Sequence, residues 1–137
     1  MSDVVLVDTD VVSFFLKNDT RAELFAPLLA GKRQAIAFMT SAELWRWGLK
    51  RGWGQPRLDR LEELIRSFLV LPADAGTCRY WARVQVGCEG IGRPISVQDA
   101  WIAAIALQHD LQLATHNVGD FEAVQGLNLL VPPPARI

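Results

Sequence analysis

Apolar residues in this chain fall into two kinds of run, short unbroken ones and longer ones spaced at three and four residues. Val4-Val5-Leu6-Val7 is the first short run, and its β-branched residues predict a strand buried on both faces. Gln34–Thr40, Ser67–Pro72, Leu111–Thr115 and Leu127–Val131 read as four further strands. Helical spacing predicts Val11–Lys17, Arg21–Ala30, Ser41–Lys50, Leu58–Arg66, Ala75–Glu89 and Ala100–Gln108 as helices. Asn18-Asp19-Thr20 should cap the second of these and Gly31 should end it. Gly52–Pro56 and Gly90–Pro94 read as loops, Asn117–Ala123 as a turn or short helix, and Pro132–Pro134 as an extended tail. Strands alternating with helices predict one α/β domain with a mainly parallel five-stranded sheet, its strands ending on a common edge.

Composition narrows the class without naming a function. A chain of 137 residues is long enough for one domain with a sizeable core, and 50% hydrophobic with 21% charged residues is ordinary for a globular protein. No apolar run approaches the roughly 20 residues that a membrane span requires, and Met1-Ser2-Asp3 lacks the basic flank of a secretory signal. Cys78 and Cys88 have no CxxC spacing and read as reduced thiols of a cytoplasmic protein. Net charge is −1, yet Arg46, Lys50, Arg51, Arg57, Arg60 and Arg66 crowd into one stretch that only Asp59, Glu62 and Glu63 offset. Such a stretch is either a solvated helical face with i,i+4 pairs or a surface that meets phosphates or an acidic partner.

Four acids change the picture. Asp8, Glu43 and Asp120 each follow a predicted strand, and Asp99 opens a helix, Ala100–Leu107, that is apolar on every side. Each has a plain alternative in helix capping: Thr40-Ser41-Ala42-Glu43 fits the capping box, Ser96–Asp99 and Asn117–Asp120 fit it more loosely. Taken together, four carboxylates at one sheet edge would repel one another and hold their protons unless a cation is present. A hard divalent ion with oxygen ligands resolves that repulsion, Mg²⁺ first and Mn²⁺ on the same ligands. His109 and His116 are too few and too scattered for zinc.

Leu6–Val12, Thr40–Leu44, Asp99–Ala104 and Ala114–Phe121 together resemble, in order and over nearly the whole chain, the four motifs of PIN domains, and more narrowly of VapC-type toxins of type II toxin–antitoxin systems. That resemblance implies a three-layer α/β/α domain and an Mg²⁺-dependent endoribonuclease that cuts RNA, tRNA or rRNA in particular. It also implies a homodimer and a cognate antitoxin whose tail fills the acidic groove. Asp8 and Asp99 match the main metal ligands. Glu43 and Asp120 match the acids that act through water or a second ion, and Thr9, Thr115 and Asn117 match the polar residues that orient ligands or a phosphate. Arg46, Lys50 and Arg51, just beyond Glu43, are the candidates for contact with RNA phosphates, and Trp47 or Trp53 for stacking on an unpaired base.

Two positions depart from the family pattern. His116 stands where Arg is common, and would meet phosphate only when protonated; otherwise it is a surface residue after a strand. Asp10 stands where Asn or Ser is common, and reads as a helix cap ahead of an added ligand. Asp8-Thr9-Asp10-Val11 also fits the nucleophile motif of haloacid-dehalogenase-like phosphatases, but no Lys follows Lys50 to complete such a site. A non-catalytic interaction module on the same fold is the other alternative.

Overall fold

Val4–Val7 (β1) hydrogen-bonds to a parallel strand on each side, which explains why its run is apolar without alternation. The computed structural model describes residues 3–134. From β1 the chain continues through α1 (Thr9–Leu16), α2 (Ala22–Leu29), β2 (Arg33–Ala37), α3 (Phe38–Lys50), α4 (Gln55–Arg66) and β3 (Leu69–Leu71). It then runs through α5 (Ala75–Gly90), α6 (Val97–Gln108), β4 (Gln112–Ala114), α7 (Val118–Phe121) and β5 (Leu129–Leu130). The sheet order is β3-β2-β1-β4-β5 and every pairing is parallel. The chain therefore builds outward from β1 to β3, crosses back to β4, and builds outward again. That reversal beside β1 is where an open α/β sheet forms a crevice at its carboxyl edge.

Alternation within the strands sorts side chains into two cores. Leu6 lies in register with Ala35 and Leu113, and these pack with Val84, Ile102, Ala103 and Ala106 under α5 and α6. Val5, Val7, Ile36 and Ala114 point the other way, onto Val11, Phe25, Leu44 and Leu61 of α1 to α4. Helices thus cover both faces in a three-layer α/β/α arrangement. Helix α6 is buried almost all round, from Ala100 through Ile102–Ala106, as its sequence requires.

Element boundaries move in ways that matter at the carboxyl edge. β2 stops at Ala37, and Phe38–Thr40 join α3 instead of extending the strand. An unbroken apolar run does not distinguish a buried strand from a buried helical turn, and here Phe38 packs edge-on against Trp101 with centroids 5.6 Å apart. Consequently Thr40–Glu43 is no capping box: Ala37 is the N-cap, without a side-chain bond, and Glu43 lies in the second turn. Helix α1 starts at Thr9 because Asp8 caps it, and α4 takes in Gln55-Pro56, since proline is tolerated in a first turn. Asp19 does not cap α2 but accepts the Arg21 N–H and pairs with its guanidinium at 2.7 Å. Cys88 is buried and Cys78 exposed, and both are free.

Leu6 anchors the larger core from the strand that also carries the first acid, and it is fully buried. Leu6→Ala is expected to cost about 3 kcal/mol in urea unfolding, the range for a leucine cavity with partial collapse. A loss under 1 kcal/mol would mean that β1 is not the centre of the core.

Candidate active site

Asp8 sits where β1 ends and α1 begins, and it is only 4% exposed. Its Oδ1 accepts the Thr9 N–H at 2.8 Å and its Oδ2 accepts the Thr115 hydroxyl at 2.8 Å. Both bonds favour the charged carboxylate. Burial outweighs them, the charge of Asp10 adds to it, and the Asp8 carboxyl is held well above its ordinary value.

Thr9 joins the next acid to this one, its backbone N–H on Asp8 and its hydroxyl on Glu43. Thr9 Oγ1 donates to Glu43 Oε1 at 3.0 Å and lies 2.8 Å from Thr40 Oγ1. Because the single Thr9 proton goes to the carboxylate, Thr40, which is fully buried, donates to Thr9. The run is Thr40 to Thr9 to Glu43. Burial first, and then the charge of Asp99, pushes Glu43 up. Asp99 is the third residue of α6, and its backbone N–H donates to the capping Ser96 hydroxyl at 3.1 Å. It too is pushed up by burial, with added repulsion from Asp120 and Asp10. Asp120 is exposed in the first turn of α7.

These groups open into one groove of about 620 Å³, whose lining includes Asp8, Asp10, Glu43, Asp99 and Asp120 together with Lys17 and Arg46. All the carboxylates are oxygen donors, no His or Cys joins them in the lining, and three of them resist ionisation. That donor set fits a hard divalent cation. Among the described residues no group of three or more His, Cys, Asp or Glu side chains is placed to hold a metal ion together. An open site of this kind suits Mg²⁺, which keeps several waters and takes one or two carboxylates.

The PIN domain family profile matches residues 5–127. The chain belongs to the PIN-domain family. Ribonuclease VapC1 from Haemophilus influenzae (strain R2866) is 29% identical over 126 residues, covering 90% of this chain and 94% of that protein. The structure of VapBC-1 from nontypeable Haemophilus influenzae aligns with a TM-score of 0.80 at 28% identity, covering 93% of this chain and 97% of its counterpart. VapBC-5 from Mycobacterium tuberculosis, a member of the VapBC family of toxin-antitoxin systems, aligns with a TM-score of 0.68 at 28% identity over 92% of this chain and 94% of its own.

Within this PIN domain the four motif acids converge, but the supporting residues divide. Thr115 is fully buried and reaches Asp8 from behind the groove, and its hydroxyl accepts the Asn117 N–H at 3.1 Å. Asn117 lines the groove. Of the three basic candidates only Arg46 does so; Lys50 is absent from the lining, and Arg51 instead covers the Trp47 ring at 4.8 Å. Trp47 lines the groove and Trp53 buttresses it, with centroids 5.4 Å apart. Asp10 is not the cap, since Asp8 holds that place. It faces the groove, with Oδ1 on the Val11 N–H at 2.7 Å and Oδ2 accepting the His116 N–H at 3.2 Å. The His116 ring turns edge-on to Phe14, 5.4 Å away, and does not line the groove. Sequence reading passed over Ser13, Lys17 and Gln98, which do line it, and Thr40 as the start of the hydroxyl chain. A signal existed: Asp10, Ser13 and Lys17 form a polar stripe at helical spacing on an otherwise apolar α1.

Two expectations follow from these shifts and bonds. Asp8, Glu43 and Asp99 bind protons more tightly folded than unfolded, so their contribution to stability is lost as pH rises through their raised folded values and is full below the unfolded value of about 4. Asp19, lowered to about 2, and Asp74, also lowered, act oppositely below that value. In EDTA the melting temperature should therefore rise as pH falls from neutral, to a maximum near the unfolded value of about 4, and then fall. Mg²⁺ should raise it most at the alkaline end; a flat profile unaffected by Mg²⁺ would contradict this electrostatic picture. Separately, Thr40→Val removes the donor to Thr9 while keeping shape, and should weaken Mn²⁺ binding about tenfold in calorimetry if the hydroxyl chain orients Glu43. Unchanged affinity would reduce Thr40 to a packing residue.

Proposed function

We propose that this PIN domain is a divalent-metal-dependent endoribonuclease, the toxin component of a type II toxin–antitoxin system. The observation that carries the reading is the convergence of Asp8, Glu43, Asp99 and Asp120 on one groove at the carboxyl edge, where burial and mutual repulsion keep three of them from ionising freely. The family match over residues 5–127 favours this over the phosphatase alternative. The name of the Haemophilus influenzae relative, a ribonuclease, supports RNA as the substrate class.

Asp8 and Asp99 are the ligands we assign to the cation, which when bound polarises the phosphate and lowers the pKa of water. Thr115 and the Thr9 N–H fix the Asp8 carboxylate in one orientation, so its two oxygens do not have to be ordered during the reaction. Glu43, held by Thr9, faces the groove with a raised pKa that suits a group taking a proton from the attacking water. Asp120 orients that water from the open side. The water oxygen bonds to phosphorus in line as the P–O3′ bond breaks, the departing O3′ takes a proton from solvent water, and the products are a 3′-hydroxyl and a 5′-phosphate. The same family resemblance supports Mg²⁺ or Mn²⁺ as the ion, tRNA or rRNA as the target, a homodimer, and a cytoplasmic setting. No helix among the described residues is long and apolar enough to cross a membrane. Likeness to VapBC-5, from a toxin–antitoxin family, supports a cognate antitoxin as partner.

Purified antitoxin-free protein should cut total cellular RNA at discrete sites with Mg²⁺ and not with EDTA, leaving 5′-phosphate ends on mapping. Asp99→Asn should lower the single-turnover rate by at least about 100-fold while keeping or raising the metal-free melting temperature at pH 7.5, because it removes a repelled charge. Normal cleavage by Asp99→Asn would sink the assignment. No cleavage and no metal binding by folded wild-type protein would favour the non-catalytic module.

A further inference from the structure

Lys17 is the C-cap residue of α1, and its ammonium lies in the same groove as the carboxylates. It pairs with none of them: the ion pairs among the described residues are Arg21–Asp19, Arg66–Glu62 and Arg93–Glu122. Instead its Nζ stands 4.3 Å from the centroid of the Trp47 ring. A flexible ammonium beside so many carboxylates would ordinarily fall onto one; the indole face is a competing seat that keeps it apart.

That seat is itself built. Trp53 leans on Trp47 at 53° with centroids 5.4 Å apart. It gets close because residue 48, buried inside α3, has no side chain: a Cβ there would lie 3.0 Å from Trp53 Cε3 and 3.3 Å from Leu58 Cδ2. A glycine inside a helix is unfavourable in itself. Here it admits the ring that supports the ring that holds the lysine.

We propose that Lys17, seated on Trp47, is a phosphate-binding residue of the groove that takes an RNA phosphate flanking the cleaved bond. This rests on the ribonuclease reading above. The groove is acidic where the cation and water belong, and an RNA strand entering it needs positive charge that the carboxylates have not already neutralised. An ammonium without a carboxylate partner, with three donors and an open side, provides that charge. Arg46 on the same groove is exposed and likewise unpaired, but no ring in the groove holds it.

The test begins with a labelled oligoribonucleotide spanning the strongest cut mapped with wild-type protein and Mg²⁺. Its affinity is measured in the Asp99→Asn background over about 50 to 200 mM KCl, with and without Lys17→Met. Lys17→Met should weaken binding roughly tenfold at low salt and reduce the slope of log affinity against log salt by about 0.7 to 0.9, one phosphate contact. Lys17→Arg should restore most of both. Trp47→Leu should shift affinity the same way, and combining it with Lys17→Met should add little, because the two act as one unit. Calorimetry with Mg²⁺ on Lys17→Met, with Asp99 intact, should show unchanged ion affinity.

An unchanged salt slope with tighter Mg²⁺ binding would mean that Lys17 neutralises the carboxylates, overturning the proposal. Additive losses would overturn the seating on Trp47, and Lys17→Met, an exposed position, does not depend on whether Trp47→Leu folds. Absence of any cut by the folded wild type would overturn the ribonuclease reading itself, whereas cuts with unaltered Lys17→Met binding would overturn only this role for Lys17.

Discussion

A carboxylate at the end of a strand buried on both faces is the constraint around which this molecule is arranged. Asp8 follows Val7 directly, in a place where an uncompensated charge is strongly unfavourable. The fold compensates with two short hydrogen bonds, one from the first turn of α1 and one from Thr115 at the end of β4. Those bonds require β4 beside β1, in the register that places Ala114 opposite Val7. A shift of β4 by one residue would turn Thr115 to the other face and leave Asp8 with one partner. The order of the sheet and the state of the acid are thus a single problem.

The remaining acids inherit their places from the same topology. Because all strands are parallel, residues distant in sequence arrive at one edge: Glu43 after β2, Asp120 after β4, and Asp99 from the start of the helix that precedes β4. Burial, with the repulsion of converging acids added to it, disfavours the metal-free fold, since all three carboxyls are raised against ionisation. The two apolar cores on either side of the sheet supply the stability that tolerates it. Such an exchange of stability for chemistry is the ordinary condition of a site built for an ion.

Much of this was legible in the chain. β1 and the apolar α6 rest on periodicity, which reported their burial faithfully, and the ordered acids on their places after strands together with the likeness to PIN motifs. The junction at Phe38–Thr40 was not legible, because an apolar stretch looks alike as strand or buried helical turn. That single ambiguity made Glu43 resemble a capping residue when it sits a turn further in, aimed at Thr9. Asp10 misled for a related reason: an acid in a first turn looks like a cap, and only the structure shows that Asp8 already fills that role. Lys50 and Arg51 were chosen by nearness to Glu43, but helical neighbours stand three or four residues apart; at seven and eight residues these two lie about two turns, roughly 10–12 Å, further along the axis, and neither lines the groove. Arg46, three residues on from Glu43, keeps that spacing and stays in.

The polar residues that support the groove are of two kinds, and the separation has a physical reason. Hydroxyls from Thr9 and Thr115 contact the carboxylates, with Thr40 behind Thr9, whereas the cation Lys17 rests against an aromatic ring. A threonine fixes the direction of a carboxylate oxygen without neutralising it, so the oxygen keeps its charge for an incoming cation. A lysine in its place would satisfy the acid and close the site. Conversely, a lysine paired with a carboxylate has no charge left for a phosphate. Had Lys17 fallen onto Asp10 or Glu43, both groups would be lost to the groove at once. The indole of Trp47 prevents this with a contact weaker than an ion pair, one that an entering phosphate can displace. Acids held by neutral donors and a base held by a neutral ring leave negative and positive charge available side by side, as an anionic substrate and a metal cation together require.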